Sequence, residues 1–103
     1  MKPIWTEQAI RGWKEVAAYV ARDFGQQGLK EFKQRTKDNE KFITEFPKGC
    51  EVAWVDEETG VEYHKCSIYR RSIMLYFVLD GQVYIADFWD VRSNKSTKPN
   101  NIN

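Results

Sequence analysis

Residues 71–92, which read RSIMLYFVLDGQVYIADFWDVR, constrain the fold of this chain more than any other stretch. An unbroken apolar run from Ile73 to Leu79 leads to Asp80-Gly81, a pair that favours the tight type I′ turn. A second, mostly apolar run then extends from Val83 to Trp89. The pattern predicts a buried hairpin at the centre of a small sheet, with Arg92 at the end of its second strand.

The segment before this hairpin predicts a short strand and two helices. Ile4-Trp5 is a brief apolar start, and Thr6 is a suitable N-cap for a helix that begins near Glu7. The apolar residues that follow recur at spacings of three and four, as in an amphipathic helix, and Gly25 ends the pattern. A second helix is predicted from about residue 27 to residue 46.

Farther along, the period changes toward two, with predicted strands at residues 52–55 and 61–68 around the loop DEETG, residues 56–60. The predicted fold class is therefore α+β, with two N-terminal helices packed on one face of a mainly antiparallel four-stranded sheet. We expect one domain, residues 1–95, because a chain of 103 residues is long enough to bury a core. The polar tail at residues 96–103 is expected to be poorly ordered.

Alternation along the last strand predicts which side chains share a face of the sheet. One face carries Val83, Ile85, Asp87 and Trp89, and the other carries Tyr84, Ala86, Phe88, Asp90 and Arg92. Both sets are mainly apolar, so the face turned away from the helices leaves aromatic surface exposed. We expect a partner to cover it.

The hairpin also has a predicted register. Counting outward from a two-residue turn pairs Leu79 with Gln82, Phe77 with Tyr84, Ile73 with Phe88 and Arg71 with Asp90. The last pair is a structural ion pair at the sheet edge, or else Arg71 has a functional role. The sequence leaves both interpretations open.

Composition argues against several classes of protein. The 16 Lys and Arg against 15 Asp and Glu leave a formal net charge of +1, whereas a general nucleic-acid binder carries a clear basic excess. Cys50 and Cys66 have no CxxC spacing and the chain has one histidine, so we expect two reduced thiols, no metal site and no cofactor. With no apolar segment long enough to cross a bilayer and no signal-peptide pattern, we expect a cytoplasmic protein with no membrane partner.

The order of the predicted elements, with four short motifs along it, resembles the RelE/ParE superfamily of bacterial toxin-antitoxin toxins. The motifs are IWTEQA at residues 4–9, EFP at 45–47, IMLYFVLDG at 73–81 and VYIADFWDVRSN at 83–94. The resemblance covers residues 3–95, and it is carried by the order and spacing of the motifs together.

The resemblance implies one of two activities. RelE-like members are ribosome-dependent ribonucleases that cleave mRNA, with basic groups on the open sheet face that hold the scissile phosphate. ParE-like members act by poisoning DNA gyrase and have no hydrolytic site. A cognate antitoxin silences both kinds of toxin. The scaffold alone does not choose between them.

Carried over residue by residue, the RelE-like catalytic pattern is incomplete in this chain. Arg92 matches the arginine at the end of the last strand. Ile73 stands where the enzymes carry an arginine ahead of the strand's tyrosine, here Tyr76. His64 and Cys66 stand at two positions that are lysines in the enzymes, and the tail has no Tyr or His to serve as a terminal acid.

We therefore expect a ParE-like toxin that binds a protein target. The residues predicted to bind the target or the antitoxin are Arg70, Tyr84, Phe88, Asp90 and Arg92. The alternative is a RelE-like endonuclease with a rearranged catalytic set of His64, Arg71 and Arg92, in which His64 suits proton transfer at neutral pH. A lone histidine on a strand is, however, more often a packing residue. An inactive partner-binding domain is the second alternative.

Overall fold

A computed structural model describes residues 2–92 as an α+β domain, which confirms the predicted class. The elements are β1 (Ile4–Trp5), α1 (Glu7–Glu45), β2 (Glu51–Val55), β3 (Glu62–Ser67), β4 (Ser72–Leu79) and β5 (Gln82–Asp90). The strands form one sheet in the order β1-β5-β4-β3-β2, with α1 packed on one face. The predicted domain end at residue 95 and the predicted tail lie outside the described residues.

The element count differs from the prediction in two respects. The sheet has five strands, not four, because β1 pairs in parallel with β5 through Ile4 and Trp5; the other pairings are antiparallel. The two predicted helices are halves of the single helix α1, which is broken at Gly25, where φ is +73° and ψ is −169°. Glycine adopts this conformation without the steric cost of a Cβ, so the break falls where the sequence predicted a helix end.

Thr6 joins β1, α1 and β5. Its hydroxyl oxygen accepts a hydrogen bond from the backbone N–H of Ala9 at 3.0 Å, as expected of an N-cap. Its backbone N–H donates to the carbonyl of Ile85 at 3.0 Å, and its hydroxyl lies 3.0 Å from the carbonyl of Ala86. The start of the helix is thereby fixed to the last strand.

The central hairpin has the predicted turn and, near the turn, the predicted register. Asp80 and Gly81 both have positive φ, +53° and +77°, as a type I′ turn requires. Leu79 pairs with Gln82 and Phe77 with Tyr84, as counted from the sequence. Both predictions are confirmed.

Beyond the middle of the hairpin the predicted register is wrong by one residue. The register shifts between Leu75 and Tyr76, which pair with Asp87 and Ile85, so that Ala86 is an extra residue in β5. Consequently Ile73 pairs with Trp89 rather than Phe88, and Asp90 pairs with Ser72 rather than Arg71. A one-residue shift also exchanges the two faces of the strand beyond it.

The core fills the space between α1 and the face of the sheet that it covers. Because of the bulge, Phe88 lies on this covered side, fully buried, with its ring 5.0 Å from that of Trp5. Trp13 stacks on Phe32 at 5.3 Å between the two halves of the helix. Other buried members of the core are Val16, Val20, Ile43, Met74, Tyr76 and Ile85.

The expectation of two reduced thiols is wrong, because Cys50 and Cys66 form a disulfide. Glu51 pairs with Lys65 across β2 and β3, so the next pair outward brings Cys50 opposite Cys66, with their Cα atoms 5.7 Å apart. The bond therefore fastens the start of β2, a strand at the sheet edge, to β3.

The face of the sheet opposite α1 carries a row of apolar side chains, one from each strand. The row consists of Ile4, Tyr84, Phe77, Tyr63 and Trp54, all exposed or half-buried. Successive aromatic rings in it lie 5.1 to 5.2 Å apart. Aromatic surface thus lies on the face away from the helix. Within residues 2–92, no helical segment is apolar enough to cross a bilayer.

Candidate functional site

The arginines singled out in the sequence meet at the open end of the central hairpin. There the turn before β4, the residues after β5 and the break in α1 converge, and Arg70, Arg71 and Arg92 line one shallow depression with Asp23 and Asp90. All three arginine residues are exposed. We call these five residues the hairpin-end cluster.

Arg92 is held by two carboxylates. Its Nη2 donates to Asp90 Oδ2 at 2.8 Å and to Asp23 Oδ2 at 3.3 Å, and its Nε donates to Asp90 Oδ1 at 3.0 Å. These hydrogen bonds raise the pKa of the Arg92 guanidinium. The Arg92 guanidinium likewise lowers the pKa of the Asp90 carboxyl, and Arg22 and Arg92 together lower the pKa of Asp23. Arg92 is consequently a fixed positive charge with a set direction.

Arg70 lies in a backbone conformation that is uncommon for a residue with a side chain. Its φ is +54°, and its guanidinium lies 4.3 Å from the ring centroid of Phe24 and 5.4 Å from that of Tyr69, within the range of a cation–π contact. The turn is held by Ser72, whose hydroxyl donates to the carbonyl of Tyr69 at 2.6 Å. The arrangement presents one face of the guanidinium to solvent and rests the other on aromatic rings.

Arg71 does not form the ion pair with Asp90 that the sequence allowed. Its backbone carbonyl accepts a hydrogen bond from Val91 at 2.8 Å, which continues the hairpin by one pair. Its charge makes only the smallest contribution to the lowered pKa of Asp90, behind the hydrogen bonds from Arg92. The exposed Arg71 side chain is therefore a second positive group beside the paired Arg92.

The cluster is a surface feature and not a pocket. The free volume it encloses is about 10 Å³, roughly the space needed to hold one water molecule. A nucleotide or another small substrate would find no cavity there. Its chemistry suits recognition of a partner surface by oriented charges and by the aromatic rings of Phe24 and Tyr69.

His64 is not part of this cluster. It lies on β3, 3% exposed, with its ring stacked 5.0 Å from that of Tyr76 and its Nδ1 2.8 Å from the carbonyl oxygen of Cys50. Its β4 neighbour Tyr76 is four residues from Ser72, about 13 Å along an extended strand. The predicted set of His64, Arg71 and Arg92 is therefore split, with only the two arginines near each other.

The predicted binding residues are also divided. Arg70, Asp90 and Arg92 lie in the hairpin-end cluster, whereas Tyr84 lies in the aromatic row on the opposite face from α1, stacked on Phe77 at 5.1 Å. Phe88 is fully buried in the core and offers no surface to a partner.

Sequence reasoning missed Asp23 and Phe24. Both lie at the end of the first half of α1, where Gly25 breaks the helix. Phe24 follows Val20 by four residues and so belongs to the apolar pattern of the first predicted helix, but its ring partner Tyr69 and the overlying Arg70 come from the turn before β4. The only local signal was a charged pair, Arg22-Asp23, directly before a predicted helix end.

Comparison of the sequence with models of known protein families gives no match. A search of curated proteins gives no significant match either.

Proposed function

We propose that this protein is the toxin of a type II toxin–antitoxin pair and that it arrests growth by binding a protein target. DNA gyrase is the target that a ParE-like toxin would have, and a cognate antitoxin would neutralise the protein. The resemblance in element order supports the family. The observation that carries the choice of binding over RNA cleavage is the position of His64, buried and remote from the arginines.

The hairpin-end cluster supports a binding role. Arg92 is oriented by Asp90 and Asp23, and Arg70 rests on Phe24, so two cationic groups have defined directions before any partner arrives. Pre-oriented arginines beside aromatic rings are typical of the residues that dominate protein interfaces. Arg70 and Arg71 make no ion pair within residues 2–92, so an acidic group on a target protein has the charge to complement them.

The same cluster is poorly arranged for cleaving RNA. A ribonuclease of this kind needs a base for the ribose 2′-hydroxyl, free cations for the phosphate and an acid for the leaving oxygen. The Arg92 guanidinium already donates its hydrogen bonds to the carboxylates of Asp90 and Asp23, and these two negative charges would repel a phosphate. The ring of His64 is covered, with Nε2 facing Glu62 at 3.8 Å.

The proposed targets are cytoplasmic, and protein disulfides are rare in that compartment. Neither Cys50 nor Cys66 borders the hairpin-end cluster. The proposed activity therefore does not depend on the disulfide, and a Cys50→Ala/Cys66→Ala variant that is produced in folded form should remain toxic.

The proposal is tested by inducing the chain in a bacterial culture and following labelled thymidine and labelled methionine incorporation over the first minutes. We expect thymidine incorporation to fall first. Arg92→Ala should abolish the effect and still fold, although Asp90, 8% exposed, loses its partner, so the free energy of unfolding should fall by about 1 to 3 kcal/mol. A thermal melt checks that the variant is folded. Arg11→Ala, an exposed arginine on α1 whose partner is Gln8, is the matched control and should remain toxic.

Other outcomes would reject the proposal. If methionine incorporation fell first and His64→Ala left toxicity unchanged, both the proposal and a ribonuclease that uses His64, Arg71 and Arg92 would be excluded. If methionine fell first and His64→Ala removed toxicity, the RelE-like alternative would replace the proposal. No growth defect at all would leave an inactive partner-binding domain.

A further inference from the structure

A groove between the two halves of α1 has an apolar floor and a rim of lysines. Near β1 it has a volume of about 340 Å³, with Trp5, Ile10 and Trp13 among its lining residues. A second depression of about 680 Å³ adjoins it, sharing Lys37 and Glu40. We call the two together the lysine groove. It is distinct from the hairpin-end cluster and from the aromatic row.

The floor of the lysine groove is built so that its polar atoms are satisfied. The indole N–H of Trp5 donates to Glu40 Oε2 at 2.7 Å, and that of Trp13 donates to Thr36 Oγ1 at 2.9 Å. The ring surfaces that remain are apolar. Ile10, 42% exposed, extends the floor with an aliphatic side chain that the described part of the chain leaves open to solvent.

The rim is strongly positive in a chain whose formal net charge is only +1. Lys33, Lys37 and Lys41 are spaced by four residues on the second half of α1, which aligns them along one side of the helix. Lys14 and Lys2 complete the rim, so that five lysines face two glutamates, Glu40 and Glu45. All five lysines are exposed, and none makes an ion pair within residues 2–92.

We propose that the lysine groove binds an acidic amphipathic helix from another protein. Trp13 in the first half of α1 contacts Thr36, and Trp5, two residues before that half begins, contacts Glu40. The two halves of α1 therefore run antiparallel, and the groove between them can seat a third helix. An apolar stripe would lie on Trp5, Ile10 and Trp13. Glutamates or aspartates flanking that stripe at spacings of three and four would match the lysine row.

Charge favours this occupant over a nucleic acid. Glu40 lies within the groove and accepts the indole N–H of Trp5, so a carboxylate stands where a phosphate backbone would pass. An amphipathic helix places its apolar stripe at that point and its acids only at the rim. The inference concerns a surface apart from the hairpin-end cluster, and it holds whether or not the chain is a toxin.

The test is selection from a displayed library of random peptides of about 15 residues, about four helical turns. The immobilised bait is the full chain, and peptides that also bind a Lys33→Glu/Lys37→Glu variant are discarded. We expect the retained peptides to combine acidic residues with apolar residues spaced by three and four. One such peptide, synthesised, should bind the parent chain at least about tenfold more tightly than the variant, and more weakly as salt rises.

Two further variants separate charge from the apolar floor. Ile10→Asp should weaken the same peptide about tenfold, because it places a charge on the floor facing the acidic ligand. Arg11→Glu/Lys48→Glu makes the same change in net charge at exposed residues outside the groove, and binding should stay within about twofold. Circular dichroism and a thermal melt of every variant confirm that each is folded.

The inference is overturned if the selection retains no peptides, if the retained peptides have no acidic bias, or if the control variant weakens binding as much as the groove variant. It is also overturned if a single-stranded oligothymidylate binds the groove and displaces the peptide with equal strength, since the site would then recognise polyanions in general. The growth assay does not enter these outcomes, so failure here and failure of the proposed toxin activity are distinguishable.

Discussion

The central hairpin, β4–β5, and the outer hairpin, β2–β3, are both antiparallel, yet they are held in place by different means. The central hairpin closes through a two-residue turn and lies beneath α1, and four residues in a row at the end of β5 are buried. β2 has no buried residue, and Val52 and Val55 on it are 46% and 48% exposed. Burial over many residues stabilises the first hairpin, whereas β2 of the second is held by its pairing with β3 and by a few side-chain contacts.

The side-chain contacts of the outer hairpin can be named. They are the Cys50–Cys66 disulfide, the hydrogen bond between His64 and the Cys50 carbonyl, the stacking of Trp54 on Tyr63 at 5.2 Å and the exposed ion pair of Lys65 with Glu51 at 3.4 Å. Removing one of the few contacts of β2 should let that strand unfold locally. Removing one of the many contacts of the central hairpin should lower global stability without local unfolding. The difference between the hairpins is therefore measurable as local against global unfolding.

The largest effect is expected from opening the disulfide. Its cysteines are 16 residues apart, and for a loop of that length the bond contributes about 3 kcal/mol to the free energy of unfolding. In Cys50→Ala/Cys66→Ala we expect amide protons of β2 to lose more protection from hydrogen exchange than those of β4 and β5, which lose only what the lower global stability takes from every strand. Uniform loss of protection across all five strands would contradict the contrast between the hairpins.

A smaller effect is expected at Gly12, where α1 crosses β5. A Cβ there would lie 2.5 Å from Asp87 Oδ1 and from the Phe88 carbonyl oxygen, so the helix would have to move off the strand. We expect Gly12→Ala to lower the free energy of unfolding by about 2 kcal/mol, despite the better helix propensity of alanine. Chemical denaturation measures this loss.

The control for Gly12→Ala is the exposed Ala18 in the same half of the helix. Ala18→Gly changes helix propensity alone and should cost about 1 kcal/mol. If Gly12→Ala were instead stabilising, the close approach of α1 to β5 would be refuted. Hydrogen exchange should show protection reduced in all strands together in Gly12→Ala, in contrast to the disulfide variant.

The sequence was sufficient for features fixed by local chemistry. The Asp80-Gly81 turn, the helix break at Gly25 and the meeting of Arg71 and Arg92 all follow from residues near in sequence or from counting outward from a turn. Counting outward from the predicted loop at residues 56–60 would have placed Cys50 opposite Cys66, which makes the disulfide a missed inference. The observed pairing at the turn is Val55 with Glu62, and a register shift between Val52 and Trp54 brings the strands back to that count.

Other features depended on tertiary contacts that a sequence pattern does not carry. The extra residue in β5, Ala86, has no distinctive side chain, and the bulge coincides with the hydrogen bond that Ala86 accepts from Thr6, 80 positions earlier. Missing it placed Phe88 on the wrong face. Asp23 lies in the hairpin-end cluster because the first half of α1 ends beside the turn before β4, and this tertiary contact leaves no pattern in the sequence.

The smallest effect is expected at Tyr76, which connects the two hairpins. It lies on β4, stacks on His64 of β3, and donates its hydroxyl proton to the carbonyl of Pro47 at 2.7 Å, just before β2. Tyr76→Phe should cost about 1 kcal/mol at neutral pH, the value of one such hydrogen bond. Exposed Tyr19→Phe is the control and should cost nothing measurable.

Alkaline pH sharpens the Tyr76 prediction. Burial raises the pKa of Tyr76 above the ordinary value of 10.0, so the folded state retains a proton that the unfolded state has released. Below the ordinary pKa of 10.0, Tyr76 therefore leaves the free energy of unfolding unchanged. As the pH rises from 10.0 toward the raised pKa of the folded state, the free energy of unfolding falls. Burial also raises the pKa of Tyr63, so Tyr76→Phe should reduce the slope without removing it. An unchanged slope in denaturant melts above pH 10 would show that the Tyr76 hydroxyl is open to solvent and does not link the hairpins.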